Sequence, residues 1–402
     1  MTDLSKTLDR IKPSPTLQVT ARAAELRAEG KDVIGLGAGE PDFDTPDHVK
    51  QAAIEAIHRG ETKYTKVDGT PELKAAVREK FARDNALDYA PDEVSVNCGG
   101  KHTIFNAMMA TLNPGDEVII PAPYWVSYPD MALIAGGTPV IVKAGLENGY
   151  KLSPAMLASA ITAKSKWLIF NSPSNPTGAA YSIAEIEALA DVIRAHPNLM
   201  VLSDEIYEHI TYDGFEFRSF AAVAPDLKAR TLTVNGVAKA WAMTGWRIGF
   251  AGGPADLIKA MAKVQSQSTS NPSSISQAAA IAALSGPYDF MAERRDEFKA
   301  RRDRVVGLLN AIDGLECRAG EGAFYLYPSC ADVIGRRTPA GAVIETDLDY
   351  ATYLLEEAGV AVVHGEAFGL SPCFRVSYAT DMATLARACE RISEATARLS
   401  TG

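Results

Sequence analysis

The sequence has 402 residues, of which 47% are hydrophobic and 22% are charged, and its formal net charge is −10. This length predicts more than one domain and a large apolar core. The acidic balance and the lack of a long basic run argue against nucleic acid and anionic membranes as main partners. A protein of this charge that binds anionic ligands needs a local group of Arg and Lys side chains.

The cysteines and histidines indicate the cellular compartment and whether a metal site is expected. The five cysteines form no Cys-x-x-Cys pair, and their odd number is typical of reduced thiols in a cytoplasmic protein. The polar start lacks the apolar segment of a secretory signal, and no apolar run approaches the length that spans a bilayer. The six histidines show no ligand spacing, and His209 beside Glu205 and Glu208 is interpreted as part of a solvated face. We therefore expect a cytoplasmic protein without a metal site.

Short apolar runs alternate with helical patterns through the middle of the chain. This alternation predicts βαβ units and an α/β fold, whose mostly parallel sheet is covered by helices on both faces. The last two strands are joined only by a loop, which allows one antiparallel strand. The predicted strands are Glu93–Asn97, Glu117–Ile120, Thr138–Val142, Lys166–Phe170, Leu199–Ser203, Thr231–Val234 and Arg247–Ala251. The predicted helices are His102–Leu112, Ile183–Ala195 and one or two within Ala255–Ser285.

The pattern changes near residue 288, where a long charged helix, Met291–Leu309, begins. Shorter strands and helices follow it and predict a smaller α+β domain. The N-terminal helix Leu17–Glu29 is expected to pack with this domain, because the large sheet begins only after residue 48. We predict a large domain at 48–290 and a small domain formed by 1–47 and 291–402.

Polar residues follow several predicted strands at the points where the strands end. In an open parallel sheet, ligands bind outside the carboxyl ends of the strands, so these loops are expected to meet at one edge. Two glycines before a helix N-terminus can leave backbone N–H groups free for a phosphate. The loops carry Gly99-Gly100-Lys101, Trp125, Asn175-Pro-Thr-Gly178, Asp204 with Tyr207, and Lys239.

Lys239 lies on a loop between two apolar strands, and Arg247 follows eight residues later. A lysine amine can bond a carbonyl cofactor, while a guanidinium can hold the phosphate of that cofactor. The segment therefore predicts imine chemistry with a phosphorylated cofactor.

Together these motifs resemble the class I aminotransferases with the type I pyridoxal-phosphate fold. The resemblance covers nearly the whole chain and is strongest to the bacterial aspartate aminotransferase branch that includes prephenate-active members. It implies a homodimeric enzyme with shared active sites that uses pyridoxal 5'-phosphate. Its implied substrates are L-aspartate or glutamate and 2-oxo dicarboxylic acids, with prephenate as a further acceptor. The motifs are Asn175-Pro-Thr-Gly, Ser203-Asp-Glu-Ile-Tyr207, the Lys239 segment and Phe374-Arg-Val-Ser-Tyr.

The resemblance also implies roles around the cofactor ring. Lys239 would bond the cofactor aldehyde and move the substrate proton, and Asp204 would pair with the pyridine nitrogen. Tyr207 and Asn175 would hydrogen-bond the phenolate oxygen, and Trp125 would stack on the ring.

The phosphate would be held by Arg247 and by the N–H groups of Gly100 and Lys101. Ala238 stands where many members of the family carry a serine, so one phosphate contact is missing from the pattern. Tyr64 resembles the tyrosine that reaches the phosphate of the neighbouring subunit.

For the substrate, Arg375 would bind the α-carboxylate, because its planar fork matches a carboxylate bidentately. A second cation is needed for a dicarboxylic substrate, and Lys101 is expected to supply it with help from Lys12 and Thr16. The expected substrate-binding residues are Gly39, Trp125, Asn175, Arg375, Lys101, Lys12 and Thr16.

Other functions stay open on this pattern. Within the cofactor class, an aromatic or alanine aminotransferase or a β-lyase would share the fold. A regulatory protein with an aminotransferase-like domain is a more distant alternative, and the presence of both Lys239 and Asp204 argues against it.

Overall fold

The computed structural model describes residue 2 and residues 4–400. Its α-helices are α1 (Pro15–Ala28), α2 (Asp47–His58), α3 (Pro71–Asn85), α4 (Gly100–Thr111), α5 (Ser127–Ile134), α6 (Pro154–Ala160), α7 (Ile183–Arg194), α8 (Phe220–Val223), α9 (Ala255–Ser266), α10 (Ser274–Ser285), α11 (Asp289–Asn310), α12 (Asp347–Ala358) and α13 (Met382–Ala397). Its strands are β1 (Ile34–Gly35), β2 (Val94–Asn97), β3 (Glu117–Ala122), β4 (Thr138–Lys143), β5 (Ser165–Asn171), β6 (Met200–Asp204), β7 (Thr231–Gly236), β8 (Gly249–Gly252), β9 (Tyr325–Leu326), β10 (Val360–Ala361), β11 (Val363–His364) and β12 (Phe374–Ser377).

The central sheet has seven strands in the order β2-β8-β7-β6-β5-β3-β4. Its neighbours are parallel except that β8 runs antiparallel to both β2 and β7. The predicted α/β class is therefore confirmed, and so is the antiparallel strand that the short connection after β7 allowed.

Except for the edge strand β4, the strands of this sheet are largely buried, which explains the apolar runs in β3, β5 and β6. Successive strand side chains point to opposite faces. Ile120 of β3 packs with Met108 of α4 and Met261 of α9. Its neighbour Ile119 lies in the opposite cluster, with Leu189 of α7. The sheet is thus held between two helical layers, and its loops at the carboxyl edge are left free to form a site.

The C-terminal part builds a second, smaller structure. Strands β11, β12 and β9 form an antiparallel sheet, and β1 pairs in parallel with β10. Helix α1 packs here as expected, because Ala23 and Leu26 share a buried cluster with Leu355 and Ala361. The proposed division at residues 47–48 and 290–291 stays a prediction.

None of the helices within residues 4–400 combines the length and apolar character that a membrane crossing needs. The Ala122–Pro123 and Ser172–Pro173 bonds are cis.

Candidate active site

A cavity of about 460 Å³ lies at the carboxyl edge of the large sheet. The ends of β5 and β6, the N-terminus of α4, the start of α1 and the lysine loop after β7 all contribute to its wall. The sequence-predicted residues that line it are Thr16, Gly39, Gly100, Lys101, Trp125, Asn175, Asp204, Tyr207, Lys239, Arg247 and Arg375.

The Lys239 amine lies inside this cavity. Its Nζ donates to the carbonyl of Gly39 at 2.5 Å and stands 5.6 Å from the centre of the Tyr207 ring. Burial, followed by the nearby Arg375 cation, lowers the pKa of Lys239 from 10.5 to about 8. A lysine of this acidity can give up its proton near neutral pH and act as a nucleophile or base.

Asp204, the last residue of β6, is buried beside the lysine. Its carboxylate accepts a hydrogen bond from the Tyr128 hydroxyl at 2.6 Å and one from the Ile206 N–H at 3.3 Å. Burial raises the pKa of Asp204, while Tyr128 and the Lys239 charge oppose that rise. A cationic group placed against this carboxylate would favour its ionised form. Tyr128 was not predicted, although it follows Trp125 by three residues and packs edge-on to it.

Tyr207 reaches the cavity from the turn after β6. Its hydroxyl hydrogen-bonds the Tyr325 hydroxyl at 2.9 Å, and burial raises the pKa of Tyr207 well above its usual range. Tyr325 lies on β9 and was also missed by sequence reasoning. The two hydroxyls therefore stay neutral and can donate to an anionic oxygen.

Arg375, on β12, brings a buried cation to the same cavity. Its guanidinium donates to Asn175 Oδ1 at 2.9 Å and to the Gly37 carbonyl at 2.6 Å. Its Nε is buried without a partner, and within residues 4–400 the charged groups that influence it are tyrosines and not carboxylates. An unpaired buried guanidinium is costly, and an anionic ligand would offset that cost.

Arg247 and the N-terminus of α4 form a further part of the cavity wall. A side chain at position 99 would lie 2.4 Å from the Arg247 guanidinium, and one at position 249 would lie 2.2 Å from the Gly100 nitrogen. Because both positions are glycine, the start of β8, the N-terminus of α4 and the Arg247 guanidinium can lie close together. The Lys101 ammonium lies 5.0 Å from the centre of the Trp125 ring, and burial followed by Arg247 lowers its pKa. This part of the wall concentrates positive charge at a helix N-terminus, where anions bind.

The family of this chain follows from comparison with known proteins. The profile described as "Aminotransferase class I and II" matches residues 31–392. The chain belongs to this aminotransferase family. The aspartate/prephenate aminotransferase of Cereibacter sphaeroides is 60% identical over 400 residues, which cover 100% of both chains. The aspartate aminotransferase of Rhizobium meliloti strain 1021 is 60% identical over 393 residues, 98% of this chain and 96% of that protein.

Solved structures of aspartate aminotransferases share the whole fold. The crystal structure from Rhizobium meliloti has a TM-score of 0.97 and 59% identity, with 100% of both chains covered. The Thermus thermophilus structure with maleate has a TM-score of 0.92 and 45% identity, with 98% of this chain and 100% of that chain covered.

Two predicted residues of this aminotransferase lie outside the cavity wall. Lys12 is exposed on the N-terminal arm, where it lies near Asp130 of α5. Tyr64 is 90% exposed on the loop between α2 and α3. A single chain of this aminotransferase therefore leaves both side chains free to contact another molecule, and their roles stay predictions.

The interpretation of His209, Glu205 and Glu208 as a solvated face is wrong. Both glutamates are buried, and His209 is partly buried against the Trp241 ring. The Lys80 ammonium, from helix α3, pairs with the Glu208 carboxylate. The partner lies 128 residues away in the sequence, so local charge gave no sign of the pairing.

Proposed function

We propose that this protein is a pyridoxal-phosphate-dependent aminotransferase. It would move the amino group between L-aspartate or glutamate and a 2-oxo acid such as 2-oxoglutarate or oxaloacetate, and it would also convert prephenate to arogenate. The observation that carries the proposal is the Lys239 amine, which shares one cavity with the Asp204 carboxylate and the Arg375 guanidinium. The names of the 60% identical relatives support the same activities.

The donor set of the cavity fits pyridoxal 5'-phosphate. Lys239 offers an amine of lowered pKa for the aldehyde, and Asp204 offers a buried carboxylate for the ring nitrogen. Arg247 and the N–H groups of Gly100 and Lys101 would hold the phosphate, so the Ala238 position needs no hydroxyl. When bound, this cofactor supplies an electron sink for negative charge at the substrate Cα.

The chain's own groups bind and orient the substrate. The planar Arg375 fork would receive the α-carboxylate, and the Gly39 backbone lies at the same wall. Holding the carboxylate bidentately fixes the direction of the Cα–H bond, and such orientation supplies up to about 7–11 kcal/mol in favourable cases. Lys239, with a pKa of about 8, then takes and returns the proton at Cα.

Lys101 provides a second cation in the cavity, which favours dicarboxylic substrates. It lines the cavity together with Thr16. The distal carboxylate of aspartate, glutamate or prephenate would pair with the Lys101 ammonium. Lys12 is proposed to join this contact when the arm covers the bound substrate.

We further propose a cytoplasmic homodimer in which active sites are shared. The Tyr64 side chain is 90% exposed, although it is a large aromatic side chain on a short loop. It would reach the phosphate bound in the partner subunit, as the family resemblance implies. The partners of this assembly are small amino and 2-oxo acids.

A half-reaction with a panel of amino acids, followed by the visible spectrum of the loaded protein, tests the proposal. Aspartate and glutamate should bleach the cofactor band fastest, and the Lys239→Ala variant should not show the band of the bound lysine. A protein that stays colourless with added pyridoxal phosphate would end the proposal. Faster reaction with alanine or phenylalanine would favour the alternative aminotransferases, and amino-donor loss without any 2-oxo acid would favour a β-lyase.

The prephenate assignment has its own test in Lys12→Ala. If the arm covers the substrate, kcat/KM with prephenate should fall about tenfold, the effect of losing one solvent-exposed charged contact. The rate with oxaloacetate measures the general effect of the change. An unchanged prephenate rate would remove Lys12 from the site.

A further inference from the structure

The turn after β6 presents side chains in two directions. Asp204 and Tyr207 line the cavity, whereas Glu205 and Glu208 lie in a buried polar cluster behind it. The backbone between them is short and closed, because the Glu208 N–H donates to the Glu205 carbonyl at 3.0 Å. The two glutamates and the two site residues are therefore held on one short, hydrogen-bonded stretch of backbone.

Helix α3 supplies the groups that hold Glu208. Lys80, which is 0% exposed, bonds both the Glu208 carboxylate and the Asn85 Oδ1, the latter at 2.5 Å. Asn85 Nδ2 also donates to the Glu208 carboxylate and to the Ser219 hydroxyl, at 2.5 and 2.7 Å. Burial alone would raise the pKa of Glu208, but the Lys80 charge followed by His209 outweighs it and holds the pKa below its usual range.

Glu205 is held on the other side of the same cluster. The Ser219 hydroxyl donates to one of its carboxylate oxygens at 2.5 Å. The Ser203 hydroxyl and the Phe220 N–H donate to the other, at 2.8 and 3.1 Å. Ser219 therefore joins the two glutamates through Asn85, and the turn is fixed at both ends.

This arrangement is a poor device for stability alone. Taking an ammonium and a carboxylate out of water is costly, and replacing a buried ion pair with apolar side chains is often neutral or stabilising. What a buried, directional network does provide is a single geometry for the backbone that carries it. The network lies directly behind the turn that carries Asp204 and Tyr207, so fixing the backbone there also fixes these two site residues.

We infer that Lys80 is a positioning residue of the active site: through Glu208 and Asn85, it fixes the turn that sets Asp204 and Tyr207 relative to Lys239. Lys80 itself touches neither substrate nor cofactor. The inference rests on the proposed function for its catalytic consequence, but the order of the turn is independent of any cofactor.

The test replaces the pair with apolar side chains in Lys80→Met/Glu208→Leu. This double variant should fold with a thermal midpoint close to that of the wild type. Its kcat should fall about 10- to 100-fold, as misplacement of site groups by roughly 1 Å does, while KM changes less. In the cofactor-free protein, the backbone amides of residues 205–210 should exchange hydrogen at least about tenfold faster.

A matched control is Lys151→Met/Glu185→Gln. This pair joins the loop before α6 to α7 through an ion pair of 2.8 Å, and neither residue lines the cavity. The control should keep kcat and the exchange rates of residues 205–210, and glutamine in place of Glu185 can still complete the capping box with Ser182. If Lys80→Met/Glu208→Leu does not fold, Asn85→Ala provides a milder form of the same change and should show both effects in smaller size.

The outcomes separate this inference from the proposed function. A folded double variant with wild-type kcat and wild-type exchange in residues 205–210 overturns it, as does an equal loss of kcat in the control. Faster exchange in the cofactor-free double variant supports it, together with a lowered kcat. A wild-type protein without aminotransferase activity would end the proposed function, and the exchange result would still decide whether Lys80 orders the turn.

Discussion

Replacing Lys239 with methionine is expected to stabilise the cofactor-free protein at neutral pH while it removes the proposed chemistry. Burial, followed by the Arg375 cation, lowers the pKa of this lysine from 10.5 to about 8. At pH 7 the amine is still mostly protonated, so the folded chain carries a charge that its surroundings disfavour. Methionine is similar in length and carries no charge.

The size of the effect follows from the change in acidity. Each tenfold change in the acid dissociation constant of the amine is equivalent to about 1.36 kcal/mol. The charged amine therefore destabilises the fold by about 3 kcal/mol at pH 7. Methionine also loses the hydrogen bond from Nζ to the Gly39 carbonyl, which is equivalent to about 1 kcal/mol. We therefore expect a net gain of about 2 kcal/mol in the free energy of unfolding.

The gain should depend on pH in one direction. A lysine with a folded-state pKa below its unfolded value binds fewer protons in the native state, so wild-type stability rises with pH between about 8 and 10.5. The variant lacks this rise, and its advantage should disappear near pH 10.5.

Urea unfolding of the cofactor-free proteins at pH 7 and pH 10.5, at one protein concentration, measures both values. The exposed Lys12→Met is the control and should stay within about 0.5 kcal/mol of the wild type. A Lys239→Met protein that is no more stable at pH 7, or whose advantage is unchanged at pH 10.5, would refute the reasoning.

Three further predictions concern the binding groups. Arg375→Lys should lower kcat/KM by a factor equivalent to about 2–4 kcal/mol of transition-state binding free energy, because an ammonium cannot replace the bidentate fork. Steady-state kinetics with aspartate would show this loss, and an unchanged kcat/KM would place the α-carboxylate elsewhere. Tyr128→Phe removes the 2.6 Å donor to Asp204 and should raise the pKa of that carboxyl further, slowing the half-reaction about tenfold; a wild-type rate would show that the hydroxyl is dispensable. Tyr64→Phe should weaken cofactor retention about tenfold in equilibrium dialysis, and a mixed dimer of Tyr64→Phe with Lys239→Ala chains should regain one intact site; equal retention would contradict the shared-site arrangement.

The large sheet was predictable because most of its strands are buried and most of them are separated by helices. The start of β8 was less predictable from the sequence. The prediction began at Arg247, whereas the strand starts at Gly249 after a short 3₁₀ turn. Arg247 has a positive φ of 57°, a conformation that suits its contact with Gly99 at the helix N-terminus. Such a contact joins segments about 150 residues apart, so no local pattern indicates it.

Most of the cavity residues found from the sequence lie at or just after the ends of strands in the large sheet, where topology brings them together. Arg375, on β12 of the small sheet, was assigned instead from the family resemblance. Tyr128 and Tyr325 arrive differently, one from helix α5 and the other from a strand of the small sheet. Their hydroxyls matter because they bond Asp204 and Tyr207, and only the packed structure brings those atoms within reach.

The turn after β6 shows why a charged segment was misread. Asp204, Glu205, Glu208 and His209 form a polar run that is typical of a surface loop. The structure buries it because Lys80, a residue of another helix, meets one carboxylate and three donors meet the other. Glu205 and Glu208 therefore lie in the polar cluster that holds the turn, whereas Asp204 lines the cavity. The sequence shows which residues are charged. Which of them are buried depends on Lys80, a cation that is distant in the sequence and pairs with Glu208.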